Sequence, residues 1–196
     1  LDSKYFKKLD YKKLVNNKNK VHVFGMGGSS LSSKLLIQFK NTNDLHSKIF
    51  IYDNPYDELI EKNLSHRKIT NNDKFIFISK SGKTVETKYF LEYIEKYLVK
   101  IGLKNPKKNF IFITENTNNF LNNYRKKNNI ICFEHDPNIG GRFSVFSITG
   151  LLPLILIGYD LTKLVNEAKK AFQEIKKDKI KIAKFLLDFY SSQKIN

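Results

Sequence analysis

The sequence predicts an α/β protein built on a doubly wound, five-stranded parallel sheet with helices on both faces. Short runs of apolar residues, rich in β-branched and aromatic side chains, are typical of buried strands. Segments with apolar residues at helical spacing separate these runs, and only a parallel sheet between two helix layers hides strands that have no polar side. The five runs lie at residues 21–24, 48–52, 75–78, 110–113 and 130–133.

The helical patterns alternate with these strands and then continue beyond them. Helices are predicted at residues 31–39, 56–64, 85–101, around 120–124 and at 148–159, with two lysine-rich helices at 161–175 and 180–190. We therefore expect an N-terminal helical arm (1–20), an α/β domain (21–159) and C-terminal helices (160–196) that lead towards a second domain. The chain starts without Met and stops within a helical pattern, so we expect it to be a fragment.

The composition excludes several classes of protein. The net charge is +16, but the lysines are spread over every segment and form no basic patch, so we expect no nucleic-acid partner. The longest apolar run, 148–159, is interrupted by Pro153 and is too short for a membrane span. The single cysteine, Cys132, lies in an apolar run, which predicts a small buried residue and a reducing, cytoplasmic location.

The turn after the third strand has the composition of an anion site. The first N–H groups of a helix lack partners and carry partial positive charge, so a strand that turns directly into a helix can hold a phosphate there. Hydroxyl donors, positive charge and a flexible glycine occur together in this turn. The hydroxyl donors are Ser79, Ser81, Thr84 and Thr87, the positive charges are Lys80 and Lys83, and the glycine is Gly82. The alternative is an ordinary capped helix, since Ser and Thr are also common N-caps.

Two glycine motifs complete the predicted site. The first strand runs into a glycine turn at residues 25–30, and ligands of parallel sheets bind beyond the carboxyl ends of the strands near the switch point. We expect this turn to meet the hydroxyl turn there. After the fifth strand, Gly140 and Gly141 precede Arg142, whose guanidinium offers forked donors to an oxyanion. The alternative for this motif is a glycine helix cap followed by a surface arginine.

With three motifs in this order, the chain resembles the phosphoglucose isomerase family over residues 21–159. The family's fold contains the sugar isomerase domain, a flavodoxin-like three-layer sandwich that binds phosphosugars. The matching segments are 25–29, 79–87 and 140–145. The first two alone would suit any sugar isomerase domain, and the third is what points to the phosphoglucose isomerase family. The sequence departs from the commonest pattern at Lys83, usually a small hydroxylated residue, and at Ser32, often a glycine.

The resemblance implies interconversion of glucose 6-phosphate and fructose 6-phosphate by proton transfer between C1 and C2 through a cis-enediol. It implies that the hydroxyls of Ser79, Ser81 and Thr84 and the backbone of Lys80 hold the phosphate. It implies that Gly28 and Ser29 line the sugar. It also implies that Arg142 and the Gly141 backbone stabilise the enediolate. No metal or redox cofactor is implied, and the full-length enzyme is expected to be a homodimer.

The resemblance does not supply a general base. The family's base is a glutamate in a segment well downstream of Gly-Gly-Arg, and this chain stops at Asn196, before that segment. Four ionisable residues lie near the predicted crevice, but none belongs to the base motif: Glu86, Glu115, Glu134 and His135. We therefore expect substrate binding with very slow turnover, because acid–base groups typically contribute about 10²- to 10⁴-fold each.

Two alternative functions remain at this stage. The first is an NAD-type dinucleotide-binding domain, in which Gly25 and Gly27 contact the pyrophosphate and Asp53 binds a ribose. Against it, Ser30 stands at the third fingerprint position and residues 79–87 have no role. The second is a non-catalytic sugar isomerase module that binds a phosphosugar as a sensor, although such a module has no need of Gly-Gly-Arg.

Overall fold

The computed structural model describes residues 11–40 and 43–192. Its described residues separate into two compact units, 11–159 and 160–192. The first unit is an α/β fold, and the second consists of two helices. The predicted N-terminal arm lies outside the described residues as far as residue 10, and its remainder contains one 3₁₀ turn, Lys12–Leu14, and no α-helix.

One parallel sheet forms the centre of the first unit. Its strands are Val21–Gly25 (β1), Ile49–Tyr52 (β2), Lys74–Ile78 (β3), Phe110–Thr114 (β4) and Ile131–Glu134 (β5). They lie in the order β2-β1-β3-β4-β5, and every neighbouring pair is parallel, which confirms the predicted fold class. The chain adds β2 on one side of β1 and the later strands on the other, so the topological switch point lies between β1 and β3.

The helices connect these strands and continue after them. In the first unit they are Gly28–Lys40 (α1), Asn43–Lys48 (α2), Asp57–Ser65 (α3), Val85–Lys100 (α4), Phe120–Asn128 (α5) and Ile148–Leu156 (α6). In the second they are Thr162–Lys177 (α7) and Lys179–Ser192 (α8). The helix α1 begins earlier than the predicted residue 31, which places Gly28 and Ser29 in its first turn. The helix α2 was not predicted, because six residues are too few to show a helical period.

The two faces of the sheet differ in composition. Phenylalanines of β1, β3 and β4 share one face and form a buried cluster with residues of α3, α4 and α5. They are Phe24, Phe75, Phe77, Phe110 and Phe112. Because strand residues alternate between faces, the valines and isoleucines between them lie on the other side, where α1 and α6 contact β1. Each buried phenylalanine contributes about 1.5–3 kcal/mol of transfer free energy.

The strand β5 departs from the prediction that every strand is hidden. It has a neighbour on one side only, and Ile131 is 41% exposed. Cys132, predicted as a small buried residue, is only half-buried, and this burial raises the pKa of its thiol. An edge position leaves part of a strand in water whatever its sequence.

A buried polar cluster lies at the amino-terminal ends of β1 and β3, away from the carboxyl edge. His22 is fully buried, with Nδ1 3.0 Å from the Tyr52 hydroxyl and Nε2 3.2 Å from Asp73 Oδ2. Burial lowers the pKa of His22 and raises that of Tyr52, so a neutral imidazole donates to Asp73 and accepts from the phenol.

Within the described ranges, no helix is long and apolar enough to cross a bilayer.

Candidate functional site

A tight loop, residues 79–84, joins β3 to α4 at the carboxyl edge of the sheet. Ser79 is 2% exposed, and its hydroxyl lies 2.7 Å from the Thr84 hydroxyl and accepts the buried Gly82 N–H at 3.1 Å. Gly82 adopts φ +63°, a conformation in which a side chain would be strained. The loop therefore closes on itself and brings two of the predicted phosphate hydroxyls into contact.

The amino terminus of α4 opens into this loop. Thr84 is the N-cap residue, but its side chain accepts no first-turn N–H, because its hydroxyl pairs with Ser79. The N–H groups of residues 85–87 have no acceptor within the helix and add partial positive charge. Thr87 is 1% exposed, and its hydroxyl has no partner among the described residues. An ordinary side-chain cap would have used these donors, so the arrangement favours an anion site.

Lys80 is directed away from the hydroxyls of the loop. Its Nζ donates to Pro137 O at 2.8 Å and lies 3.6 Å from Glu115 Oε1, so its charge is partly neutralised. This lysine therefore links the loop to the segments after β4 and β5. Lys83 and Ser81 are exposed, and the Lys83 N–H donates to the Ser81 hydroxyl at 3.3 Å. Of the two predicted cations, Lys83 is the one that faces solvent without an ion pair among the described residues.

The glycine turn after β1 lies directly against Gly-Gly-Arg. A Cβ built on Gly28 would stand 2.5 Å from the carbonyl carbon of Gly141 and 2.9 Å from the backbone nitrogen of Arg142. Two backbones approach this closely only where a side chain is missing. The 3₁₀ turn Gly141–Phe143 follows, and Arg142 is exposed there with no partner among the described residues. Its guanidinium is thus free to bind an anionic ligand.

A pair of buried serines fixes this junction. The hydroxyls of Ser32 on α1 and Ser144 lie 2.7 Å apart, and Ser144 donates its proton to Gly141 O at 2.6 Å. Ser32 Oγ also lies 3.3 Å from Gly28 O, and each hydroxyl has one proton, so the shorter contact of Ser144 with Gly141 O favours Ser32 as the donor in the pair. Ser32 is one of the two residues at which the sequence departs from the family pattern, and its hydroxyl connects α1 to the segment that carries Arg142.

The two groups of predicted residues meet at the switch point. In the parallel register Gly25 of β1 pairs with Ile78 of β3, the residue that precedes the loop. A Cβ on Gly25 would lie 3.1 Å from Ser29 Cβ and 3.2 Å from Ile78 O. The glycine turn therefore lies beside the hydroxyl loop, with Gly141 and Arg142 against the turn. Such an arrangement can hold a phosphate at one end and an oxyanion at the other.

Two of the four ionisable residues near the site are held by other groups. Glu115 pairs with Lys80, and His135 is 2% exposed with Nδ1 2.9 Å from Asp136 O. Glu134 occupies the edge strand β5, and Glu86 lies in the first turn of α4. Among the residues that the structure describes, no group of three or more His, Cys, Asp or Glu could hold a metal ion.

The dinucleotide alternative depended on a free acid at the end of β2. Asp53 instead lies 2.5 Å from Lys34 Nζ on α1, and both side chains are partly exposed. A carboxylate that is held by an ammonium group is a poorer acceptor for ribose hydroxyls. The geometry at this position therefore does not favour a nicotinamide cofactor.

Sequence reasoning missed the residues that support the loop from β4. Thr114 and Asn119 are both buried, and the Thr114 hydroxyl donates to Lys80 O at 3.2 Å. The available signal was the polar turn at 114–117, which follows the strand next to β3. Carboxyl ends of neighbouring parallel strands meet at one edge, so this turn had to lie beside the loop.

Fold and site together define a doubly wound α/β domain with a candidate anion site at a strand-to-helix loop. The family model for phosphoglucose isomerase matches residues 9–192, and the chain belongs to that family. It is 35% identical over 160 residues to a glucose-6-phosphate isomerase from Campylobacter jejuni, covering 80% of this chain and 39% of the relative. It is 34% identical over 168 residues to one from Methanocaldococcus jannaschii, covering 85% and 40%.

The solved structures support the same fold. A hypothetical protein from Thermus thermophilus superposes with a TM-score of 0.69 at 27% identity, covering 88% of this chain and 39% of that one. A glucose-6-phosphate isomerase from Chlamydia trachomatis superposes with a TM-score of 0.58 at 23% identity, covering 72% of this chain and 26% of that one. At this level of identity the likeness concerns the fold alone. The chain spans 39% and 40% of the length of the two curated relatives named above.

Proposed function

We propose that this chain binds a hexose 6-phosphate and takes part in the interconversion of glucose 6-phosphate and fructose 6-phosphate. One observation carries the proposal. The hydroxyl loop at the amino terminus of α4 lies beside a glycine turn that itself contacts Gly141 and Arg142. The family of the chain and the names of its curated relatives support the choice of sugar.

The roles follow from what each group can donate. In our proposal the hydroxyls of Ser79, Ser81 and Thr84 and the backbone after Lys80 hold the phosphate, because helix N-termini and hydroxyls bind anions strongly. The backbone of Gly28 and the side chain of Ser29 then line the sugar. These two residues stand in the first turn of α1, beside the end of β3.

The chemistry that we propose for Arg142 is charge stabilisation. Isomerisation removes a proton from C2 of the open-chain aldose and returns one to C1, and the enediolate between these steps carries negative charge on oxygen. The exposed guanidinium of Arg142 and the Gly141 N–H are donors suited to that oxygen. We assign the proton transfer to no residue of this chain, so the proposal is for substrate binding with very slow turnover.

Two further features of the proposal concern the complete enzyme. We propose that it is a homodimer and that it acts in the cytoplasm, where its sugar phosphates are made and used. Both rest on the family relationship. Size-exclusion chromatography with light scattering tests the first, and a fluorescent fusion of the complete protein tests the second.

Calorimetric titration of the chain with three ligands tests the proposed function. We expect saturable binding of fructose 6-phosphate, weaker binding of inorganic phosphate, and no binding of fructose, because most of the affinity comes from charge-assisted bonds to phosphate. NADH is the fourth titrant and the control for the dinucleotide alternative. Saturable NADH binding together with no response to fructose 6-phosphate would contradict the proposal.

A further inference from the structure

The backbone of the hydroxyl loop is held from the neighbouring strand. The carbonyl oxygen of Lys80 accepts two hydrogen bonds from the end of β4, one from the Glu115 N–H at 3.0 Å and one from the Thr114 hydroxyl at 3.2 Å. A trans peptide directs its N–H opposite to its C=O. The N–H of Ser81 therefore points away from β4. Because β3 lies between β4 and β1, this N–H points to the side of the glycine turn.

A buried asparagine sets the direction of the Thr114 proton. Asn119 Nδ2 lies 3.3 Å from Thr114 Oγ1, with Thr117 Oγ1 at 3.1 Å and Glu115 O at 3.2 Å as its other acceptors. Because an amide nitrogen can only donate to the hydroxyl, this contact leaves the threonine proton for Lys80 O. Asn119 Oδ1 accepts the Asn122 N–H at 2.9 Å and so caps α5. The Thr114 and Asn119 residues are 1% and 3% exposed. Both ends of the asparagine amide are in use, so it has one favourable orientation.

The same asparagine contacts the far side of the loop. A Cβ on Gly82 would lie 2.2 Å from Asn119 Oδ1, so only a glycine fits there. The Leu121 N–H, at the start of α5, donates to Gly82 O at 3.4 Å. Residues 80–82 are therefore held at both ends by the segment that joins β4 to α5.

We propose that Thr114 and Asn119 are positioning residues of the anion site, which keep the Ser81 N–H directed at the bound phosphate. This inference rests on the proposed function, since it takes the loop to be where phosphate binds. Neither residue touches the ligand. Their effect is preorganisation: a donor that already points at the anion need not be reoriented when the anion binds.

Titration of inorganic phosphate and fructose 6-phosphate into four variants tests the proposal. Thr114→Val keeps the shape and removes the hydroxyl, and the Kd for both ligands should rise about three- to tenfold. Thr114→Ser keeps the hydroxyl and should restore binding. Asn119→Ser keeps an acceptor for the cap of α5 but loses the amide donor, and it should weaken binding in the same direction. Thr149→Val is the matched control, because that buried hydroxyl has no partner among the described residues.

The outcomes separate this inference from the proposed function. An unsubstituted chain that binds no phosphate overturns both. Three outcomes overturn the positioning role alone. Phosphate binding could be unchanged in Thr114→Val, it could be weakened equally in Thr149→Val, or Thr114→Ser could fail to restore it. Circular dichroism monitors folding, and if Thr114→Val does not fold, the affinity of Asn119→Ser decides the question.

Discussion

One methyl group at Gly28 should separate the two halves of the candidate site. A Cβ there would stand 2.5 Å from the Gly141 carbonyl carbon, whereas ordinary contact begins at 3.4 Å. Both contacting groups belong to the backbone, so no side-chain rotation relieves the overlap. In Gly28→Ala the segment that carries Arg142 must therefore move away from α1 by about 1 Å, a displacement large enough to disrupt catalytic geometry.

The consequence should differ between ligands. The affinity for fructose 6-phosphate should fall about tenfold or more, about 1.4 kcal/mol, because in the proposed complex the sugar contacts both displaced segments. The affinity for inorganic phosphate should stay within about twofold, since the described hydrogen bonds of residues 79–84 do not involve Gly28. The free energy of unfolding should fall by about 1–3 kcal/mol, the usual cost of overpacking. Calorimetric titration and urea unfolding measure the three quantities.

Gly140→Ala provides the matched control. Its Cβ would meet only the Phe143 ring, at 3.3 Å, and that ring is 80% exposed and free to turn. We expect affinities and unfolding close to those of the unsubstituted chain. If Gly28→Ala bound fructose 6-phosphate as tightly as Gly140→Ala does, the sugar would not lie between α1 and Gly-Gly-Arg.

Three further predictions concern the loop and the buried histidine. Ser79→Ala removes the hydroxyl that pairs with Thr84 and one of the two acceptors of the buried Gly82 N–H, which keeps Ser79 O at 3.1 Å, so the unfolding free energy should fall by about 0.5–1.5 kcal/mol. The exposed Ser81→Ala should weaken phosphate binding alone, and equal unfolding energies of the two variants in urea would contradict this. Lys83→Gln should reduce the salt dependence of the phosphate Kd between about 20 and 200 mM NaCl. Lys88 already pairs with Glu92 at 3.8 Å, so Lys88→Gln should leave that salt dependence unchanged. Burial lowers the pKa of His22 in the folded chain, so below pH 6.5 this histidine binds a proton in the unfolded chain more readily than in the folded one. The free energy of unfolding should therefore fall by up to about 1.4 kcal/mol per pH unit as the pH drops. His22→Gln should lose that slope in urea unfolding, and His66→Gln, on the surface, should keep it.

The local parts of the site were predictable because their chemistry is contiguous. The hydroxyls of Ser79 and Thr84 belong to one strand-to-helix turn, so their proximity follows from five residues of chain. The same holds for Gly28 beside Ser29. A family resemblance that rests on such motifs can be drawn without any knowledge of packing.

The supporting contacts were not predictable, because each joins residues far apart in the chain. Ser32 and Ser144 are 112 positions apart, and Thr114 and Lys80 are 34 apart. A threonine after a strand is an ordinary residue until the neighbouring strand is known. The direction of the Lys80 side chain, towards Pro137 and Glu115, likewise depends on which loops the sheet order places beside it.

The sequence alone determined that this chain forms a parallel α/β sheet and carries a hydroxyl-rich turn suited to phosphate. Apolar periodicity and turn composition are local properties, and they survive without tertiary information. Only the tertiary structure decided that Gly28 meets the Gly141 backbone and that Thr114 orients the Lys80 carbonyl. The order of strands sets both contacts, because it selects which loops share the carboxyl edge of the sheet.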